Sequence, residues 1–164
     1  MIRVTIDSIR VSLISPHRIV VLREEDGERY VPIFVGPNEA EALSINLRGT
    51  EVPRPLTHDL LKQLVEALDA TVTHILISDL RDDVFYATIV LEAEGRTVEV
   101  DARPSDAINL AVRTSAAIFV AEQVLAAAGV LPEASLDAEG ADDEDLSVFA
   151  DFVESLDLDD LGEE

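Results

Sequence analysis

Val100-Asp101-Ala102-Arg103-Pro104-Ser105-Asp106-Ala107 closes an extended run and opens a helix, and 67 positions earlier Val35-Gly36-Pro37-Asn38-Glu39-Ala40 does the same. In both stretches a proline suited to a first helical turn is followed two residues later by an acid and then by alanine. At the same offset Val31 falls on Val98, Ile33 on Val100 and Leu43 on Leu110. Two matching corners with matching flanks point to an internal duplication, in which one β-β-β-α unit is used twice, at about residues 1–49 and 71–116.

The pattern outside the corners fills in that unit. Val4 to Leu13 alternates apolar and polar residues with a phase slip near Ser8, which reads as a strand with a bulge. Ser15-Pro16-His17 is a turn, and Arg18–Arg23 and Arg29–Val35 form a hairpin around Asp26-Gly27. Pro37–Leu47 is a helix with acids at its positive end and Gly49 just past its close. After the extended Val52-Pro53-Arg54-Pro55, Thr57 is the expected cap of a helix that runs to Ala70 with Leu60, Leu61, Leu64, Val65 and Leu68 on one face.

The second unit follows as strands over Thr71–Leu80, Phe85–Leu91 and Thr97–Ala102 and a helix over Pro104–Arg113. A short strand at Ile118–Val120 and a helix from Ala121 to Ala128, stopped by Gly129, complete the domain. Consecutive hairpins imply antiparallel pairing and the link between units allows a parallel pair. The expected fold class is therefore α+β, a mixed, largely antiparallel sheet with helices packed on it. The domain is expected to span 1–131, followed by an acidic tail over 132–164 with an amphipathic helix at 144–156.

Charge separates those two parts. Residues 133–164 hold 14 of the 34 acids and none of the 12 bases, so the domain stands at −8 and the tail at −14. A polyanion is repelled by such a field, which argues against tight nucleic-acid binding and leaves room for weak or cation-bridged contact. Eleven of the twelve bases are arginine, able to build a local anion site. There is no cysteine, so neither a disulfide framework nor a thiol site is available. The chain begins without a basic leader and has no apolar stretch of membrane-spanning length, so a cytoplasmic protein without membrane contact is expected.

Three constellations carry chemistry. Asp101, Arg103 and Asp106 at the second corner, joined by Glu39 from the first, can hold a hard divalent cation while the guanidinium takes a phosphate oxygen. The same residues equally make a capped helix in which Arg103 pairs with Asp101. His58, beside Asp59 at a helix start, is placed as a neutral-pH acid or base, and as readily as a packing residue. Arg81, within Asp79-Leu80-Arg81-Asp82-Asp83 and ahead of Tyr86, can contact phosphate or can belong to an ordinary charged turn. Gly-rich phosphate loops, paired-histidine zinc signatures and serine elbows are absent from the sequence.

The ordered set Pro32-Ile33-Phe34-Val35-Gly36, Pro53-Arg54-Pro55-Leu56-Thr57-His58-Asp59-Leu60-Leu61, Asp79-Leu80-Arg81, Phe85-Tyr86-Ala87, Val98 to Ile108 and Ile118 to Glu122 resembles the bifunctional nuclease domain family over about residues 1–130. Ser115 and Ala117 stand where that family usually has Gly and Pro. The resemblance implies a nuclease acting on RNA and DNA. Placed on the chemistry above, it makes Asp101, Asp106 and Glu39 the ligands of Mg²⁺ or Mn²⁺, His58 with Asp59 the acid–base element, and Arg81 and Arg103 the phosphate-stabilising groups. The alternative is a non-catalytic regulatory or protein-interaction module that forms a homodimer or another homo-oligomer.

Overall fold

The computed structural model describes residues 1–11 and 18–131. The Ser15-Pro16-His17 turn, the acidic tail and its expected helix at 144–156 lie outside the described residues. The elements run β1 (Ile2–Val11), β2 (Arg18–Glu24), β3 (Tyr30–Val35), α1 (Pro37–Leu47), α2 (Thr57–Ala67), β4 (Ala70–Arg81), β5 (Val84–Ala93), β6 (Arg96–Ala102), α3 (Pro104–Thr114), β7 (Ala117–Val120) and α4 (Glu122–Ala128). The β-β-β-α order thus occurs twice.

Among the described residues seven strands form one sheet in the order β3-β2-β1-β7-β4-β5-β6. Every neighbouring pair is antiparallel except β7 and β4, which run parallel. The fold is α+β with a mixed, largely antiparallel sheet. The slip near Ser8 is a bulge: the β1–β2 register shifts between Ile6 and Ser8, which returns Ile9 opposite Val20. A second bulge between Val72 and His74 does the same for β4, so Val72, Ile75 and Ile77 all reach the core although their spacing breaks the period of two.

One face of the sheet carries the core. Val20, Leu22, Ile33, Ile75, Ile77 and Val120 are fully buried there, against Leu43 of α1, Ile108 and Leu110 of α3 and Leu125 of α4. Each such side chain contributes about 1.5–3 kcal/mol of apolar burial. α3 is the central helix, with Ala107, Ile108, Asn109, Leu110, Ala111 and Arg113 all buried. It ends at Ser115 in the left-handed region (φ 56°), a conformation glycine adopts without cost. The other helix ends differ from one another. Gly129 closes α4 in an extended conformation rather than a left-handed one, and a Cβ there would lie 2.2 Å from the Leu125 carbonyl oxygen.

α2 departs from expectation at both ends and on its face. Leu56 is its N-cap residue and Thr57 its first helical one, because the Asp59 carboxylate turns back to accept the Leu56 N–H at 2.8 Å. The helix ends at Ala67, and Asp69 at φ 54° turns the chain directly into β4. Only Leu61 and Val65 pack inward; Leu60, Leu64 and Leu68 form an exposed ridge, half or more of each residue open to solvent. Among the described residues no helix is long and apolar enough to cross a membrane.

Candidate active site

The two corners adopt one local geometry. Gly36 and Arg103 are the N-cap residues of α1 and α3, with φ/ψ of −65°/153° and −69°/146°, and Pro37 and Pro104 each occupy the first helical position. Proline fixes φ for a helix start and lacks the N–H that would be orphaned there. Glu39 and Asp106 then fall in the first turns, where the positive end of each helix favours a carboxylate.

Packing brings the corners together. The Asn109 side-chain amide donates to the Glu39 carbonyl at 3.0 Å, and one turn further on Arg113 Nη2 donates to the Ala42 carbonyl at 3.0 Å. α1 and α3 therefore lie side by side in the same direction, with their N-termini adjacent. Arg103 spans the two starts: Nε donates to Asp106 Oδ2 at 2.7 Å, and Nη2 donates to Asp106 Oδ1 at 3.1 Å and Glu39 Oε1 at 3.0 Å. Two thirds of its side chain remains exposed. The pairing of Arg103 is with Asp106 and Glu39 rather than with Asp101.

α2 adds the third component. His58, the one buried residue of that helix, sits with Nε2 3.0 Å from Asp106 Oδ1. Its Nδ1 is buried and has no hydrogen-bond partner among the described residues. With Nε2–H donating to the carboxylate, Nδ1 carries a lone pair that is covered by the protein and unmatched by any donor among the described residues. Burial pushes the Asp106 carboxyl upward, but the hydrogen bonds from Arg103 and His58 and the Arg103 charge outweigh it and hold the group below the usual aspartate value. The Arg103 guanidinium, hydrogen-bonded to Asp106 and Glu39, is raised further still and stays charged.

Glu39, His58, Arg103 and Asp106 all line one open cleft of about 620 Å³, whose other walls include Asn38, Glu41, Ile45 and Pro55. The remaining site residues named from sequence lie elsewhere. Asp59 faces away from the cleft: it accepts Arg113 Nε at 2.6 Å and the Leu56 N–H. Arg81 stands at the end of β4, bonded through Nε to Asp79 at 2.6 Å and lying over the Tyr86 ring at 5.0 Å. Asp101 is exposed on the edge strand β6, opposite Thr88, and does not line the cleft.

This placement bears on a metal. Glu39 and Asp106 offer hard oxygen donors, but both already accept from Arg103, and Asp101 is not with them. Among the described residues no group of three His, Asp or Glu side chains is arranged to hold a metal ion. The donor set as folded therefore does not fit a resident divalent cation.

Two residues that sequence reasoning passed over turn out to hold the site. The Arg113 side chain is almost wholly buried and donates to Asp59, the Asn109 carbonyl, Asn109 Oδ1 and the Ala42 carbonyl. Asn109 in turn bridges α1 to α3. Their signal is an amide and a guanidinium four apart inside the otherwise apolar run Ile108-Asn109-Leu110-Ala111-Val112-Arg113. Polar groups inside a core helix persist only when they are satisfied.

Comparison with known proteins adds a family. The family model described as bifunctional nuclease domain matches residues 20–133. An uncharacterized protein of Mycobacterium tuberculosis is 37% identical over 161 residues, covering 96% of each chain. Bifunctional nuclease 1 of rice, Oryza sativa subsp. japonica, is 32% identical over 114 residues, which is 67% of this chain and 34% of the plant protein. Bifunctional nuclease 1 of Arabidopsis thaliana is 30% identical over 110 residues, 65% of this chain and 34% of its own.

Proposed function

The chain belongs to the bifunctional nuclease domain family, and from that premise we propose that it hydrolyses phosphodiester bonds of RNA, DNA or both in the cleft between the starts of α1, α2 and α3. One observation carries the placement: a buried histidine paired with a carboxylate, and an exposed arginine on that same carboxylate, share one cleft at two adjacent helix N-termini. Arg103 Nη1 makes no hydrogen bond among the described residues, so its N–H groups can take a non-bridging phosphate oxygen. Asp106 holds the His58 Nε2–H, and Nδ1 accepts the proton of the attacking water and returns it to the leaving oxygen. The ring is covered on its Nδ1 side, so cleavage requires a local opening that admits one water. Arg103 and the helix N-termini then face the charge that develops on phosphorus.

Cations enter this scheme with the substrate. Glu39, Glu41 and Asp106 outnumber Arg103 at the cleft, so a polyanion meets a negative mouth. We therefore place Mg²⁺ or Mn²⁺ as counter-ions carried by the nucleic acid, which screen the carboxylates without being ligated by a preformed set. The test is cleavage of labelled single-stranded RNA and DNA by purified protein, in chelator and with added cations. Cleavage lost in chelator is expected to return with Mg²⁺, Mn²⁺, Ca²⁺ or spermidine alike. Return with Mn²⁺ or Mg²⁺ alone, saturating at a fixed stoichiometry, would mean that Arg103 swings out and frees Glu39 and Asp106 as ligands.

A second reading, a non-catalytic homo-oligomeric module, draws on the Leu60, Leu64 and Leu68 ridge and on β6, exposed along both faces at the sheet edge. Apolar ridges and open edges of this kind are commonly covered by another chain. Light scattering separates the readings. A dimer that Leu64→Glu converts to a folded monomer, together with no cleavage under any condition, would favour the module.

A further inference from the structure

Phe34 is the largest apolar side chain of β3, and 63% of it is exposed. It borders a second cavity, of about 270 Å³, between the end of β3, the start of β5 and the start of α3. Val84, 54% exposed, and Phe85 supply further apolar wall, Asp83 stands in the adjoining turn, and Arg103 lines this cavity as well as the cleft. Among the described residues β3 and β6 are the two edges of the sheet, yet Phe34 of β3 shares this cavity with the α3 corner that follows β6.

We infer that this second cavity is a nucleobase subsite, in which the base next to the scissile phosphate stacks on Phe34. The inference rests on the proposed phosphodiesterase reading and deepens it. Three features identify the occupant as a base. The walls are apolar and aromatic, which suits a flat π-face and not a phosphate. Among the described residues the one cation on the cavity is Arg103, shared with the cleft, so a ligand that spans both places its phosphate at Arg103 and its apolar part against Phe34. Asp83, set by a positive φ of 62° in the β4–β5 turn, is acidic; it repels phosphate and can accept N–H groups, which a base edge offers. Stacking of this kind tolerates any base, in keeping with a site that discriminates little by sequence.

The chain has no tryptophan, so Phe34→Trp gives a full-length protein with a single indole reporter in the cavity. Phosphorothioate tetranucleotides that resist cleavage, with bases and without, serve as probes, and binding is followed separately by anisotropy of a terminal dye. Base-bearing tetranucleotide is expected to quench the indole emission of the Phe34→Trp variant saturably, while the abasic one is not. Phe34→Ala is expected to weaken the base-bearing probe by roughly 5- to 100-fold and to leave the abasic probe unchanged. Equal weakening of both probes, binding without quenching, or quenching that follows protein concentration alone would overturn the subsite; the last would assign the surface to a second copy. Hydrolysis of an abasic tetranucleotide with ordinary phosphodiester linkages, a diester without any aromatic ring, runs alongside. If wild type and Phe34→Ala cleave it equally but base-specific binding is absent, the subsite falls and the phosphodiesterase reading stands. If neither cleaves it while base-specific quenching persists, the phosphodiesterase reading falls and the base site is upheld.

Discussion

Asp106→Asn is expected to lower kcat/KM for single-stranded RNA and DNA by about 10²- to 10⁴-fold, the range of a positioned acid–base element. The substitution keeps the size of the side chain and one hydrogen-bond acceptor. What it removes is the negative charge that both His58 Nε2 and Arg103 address. An amide can rotate to donate to the imidazole, which would leave Nε2 as the acceptor and Nδ1 protonated, the wrong tautomer for taking a proton at Nδ1. His58→Ala is expected to cost a similar factor, and the double variant little more than either alone, because two groups that act as a unit do not add. Folding should be barely affected by Asp106→Asn, since Arg103 is mostly exposed and retains Glu39. Cleavage is compared after circular dichroism has matched the variants to wild type. Activity retained within a few-fold in a folded Asp106→Asn protein would remove the cleft from the reaction.

The parts of this arrangement that sequence made legible were local ones. Proline followed by an acid at a strand-to-helix corner announces its own geometry, and Pro37–Leu47 begins and ends where capping signals place it. The break in alternation near Ser8 was readable as a bulge for the same reason. Pairing across the chain was not. Spacing alone set Arg103 against Asp101, two residues away, whereas parallel packing of α1 and α3 delivers Glu39 from 64 positions off and His58 reaches Asp106 from 48. Which helices lie side by side depends on side-chain volumes over the whole core, information that no window of residues contains. The face of α2 failed for a related reason. Five apolar residues shared a helical stripe, but only Leu61 and Val65 meet the core, and the burial that fixes the helix is that of His58. Arg113 went unread because a charged residue near a helix end suits the dipole equally well on the surface.

Asp59→Ala is expected to destabilise the domain by about 3–5 kcal/mol, a large share of the roughly 5–15 kcal/mol typical of a folded domain. The Arg113 side chain is 2% exposed, and Asp59 is the carboxylate that neutralises it. Without it, the guanidinium keeps only neutral acceptors, Asn109 and the Ala42 carbonyl, and an under-compensated charge stays in the core. Asp59→Asn should cost nearly as much, because the charge is what matters. Arg113→Met in the Asp59→Asn background should recover part of the loss, since removing both charges deletes the desolvation problem along with the pair. Acid unfolding gives an independent measure. Burial raises the Asp59 carboxyl, but the hydrogen bond and charge of Arg113 and the Leu56 N–H outweigh it, so the folded value lies below the ordinary one. Between the folded and unfolded values, near about pH 4 and below, the unfolded chain binds more protons. The contribution of Asp59 is thus complete above that window and vanishes as pH falls through it. Urea unfolding at about pH 7 and below about pH 4 should show wild type losing more stability on acidification than Asp59→Asn does, and an equal loss in both would mean that Arg113 is held by its neutral partners alone.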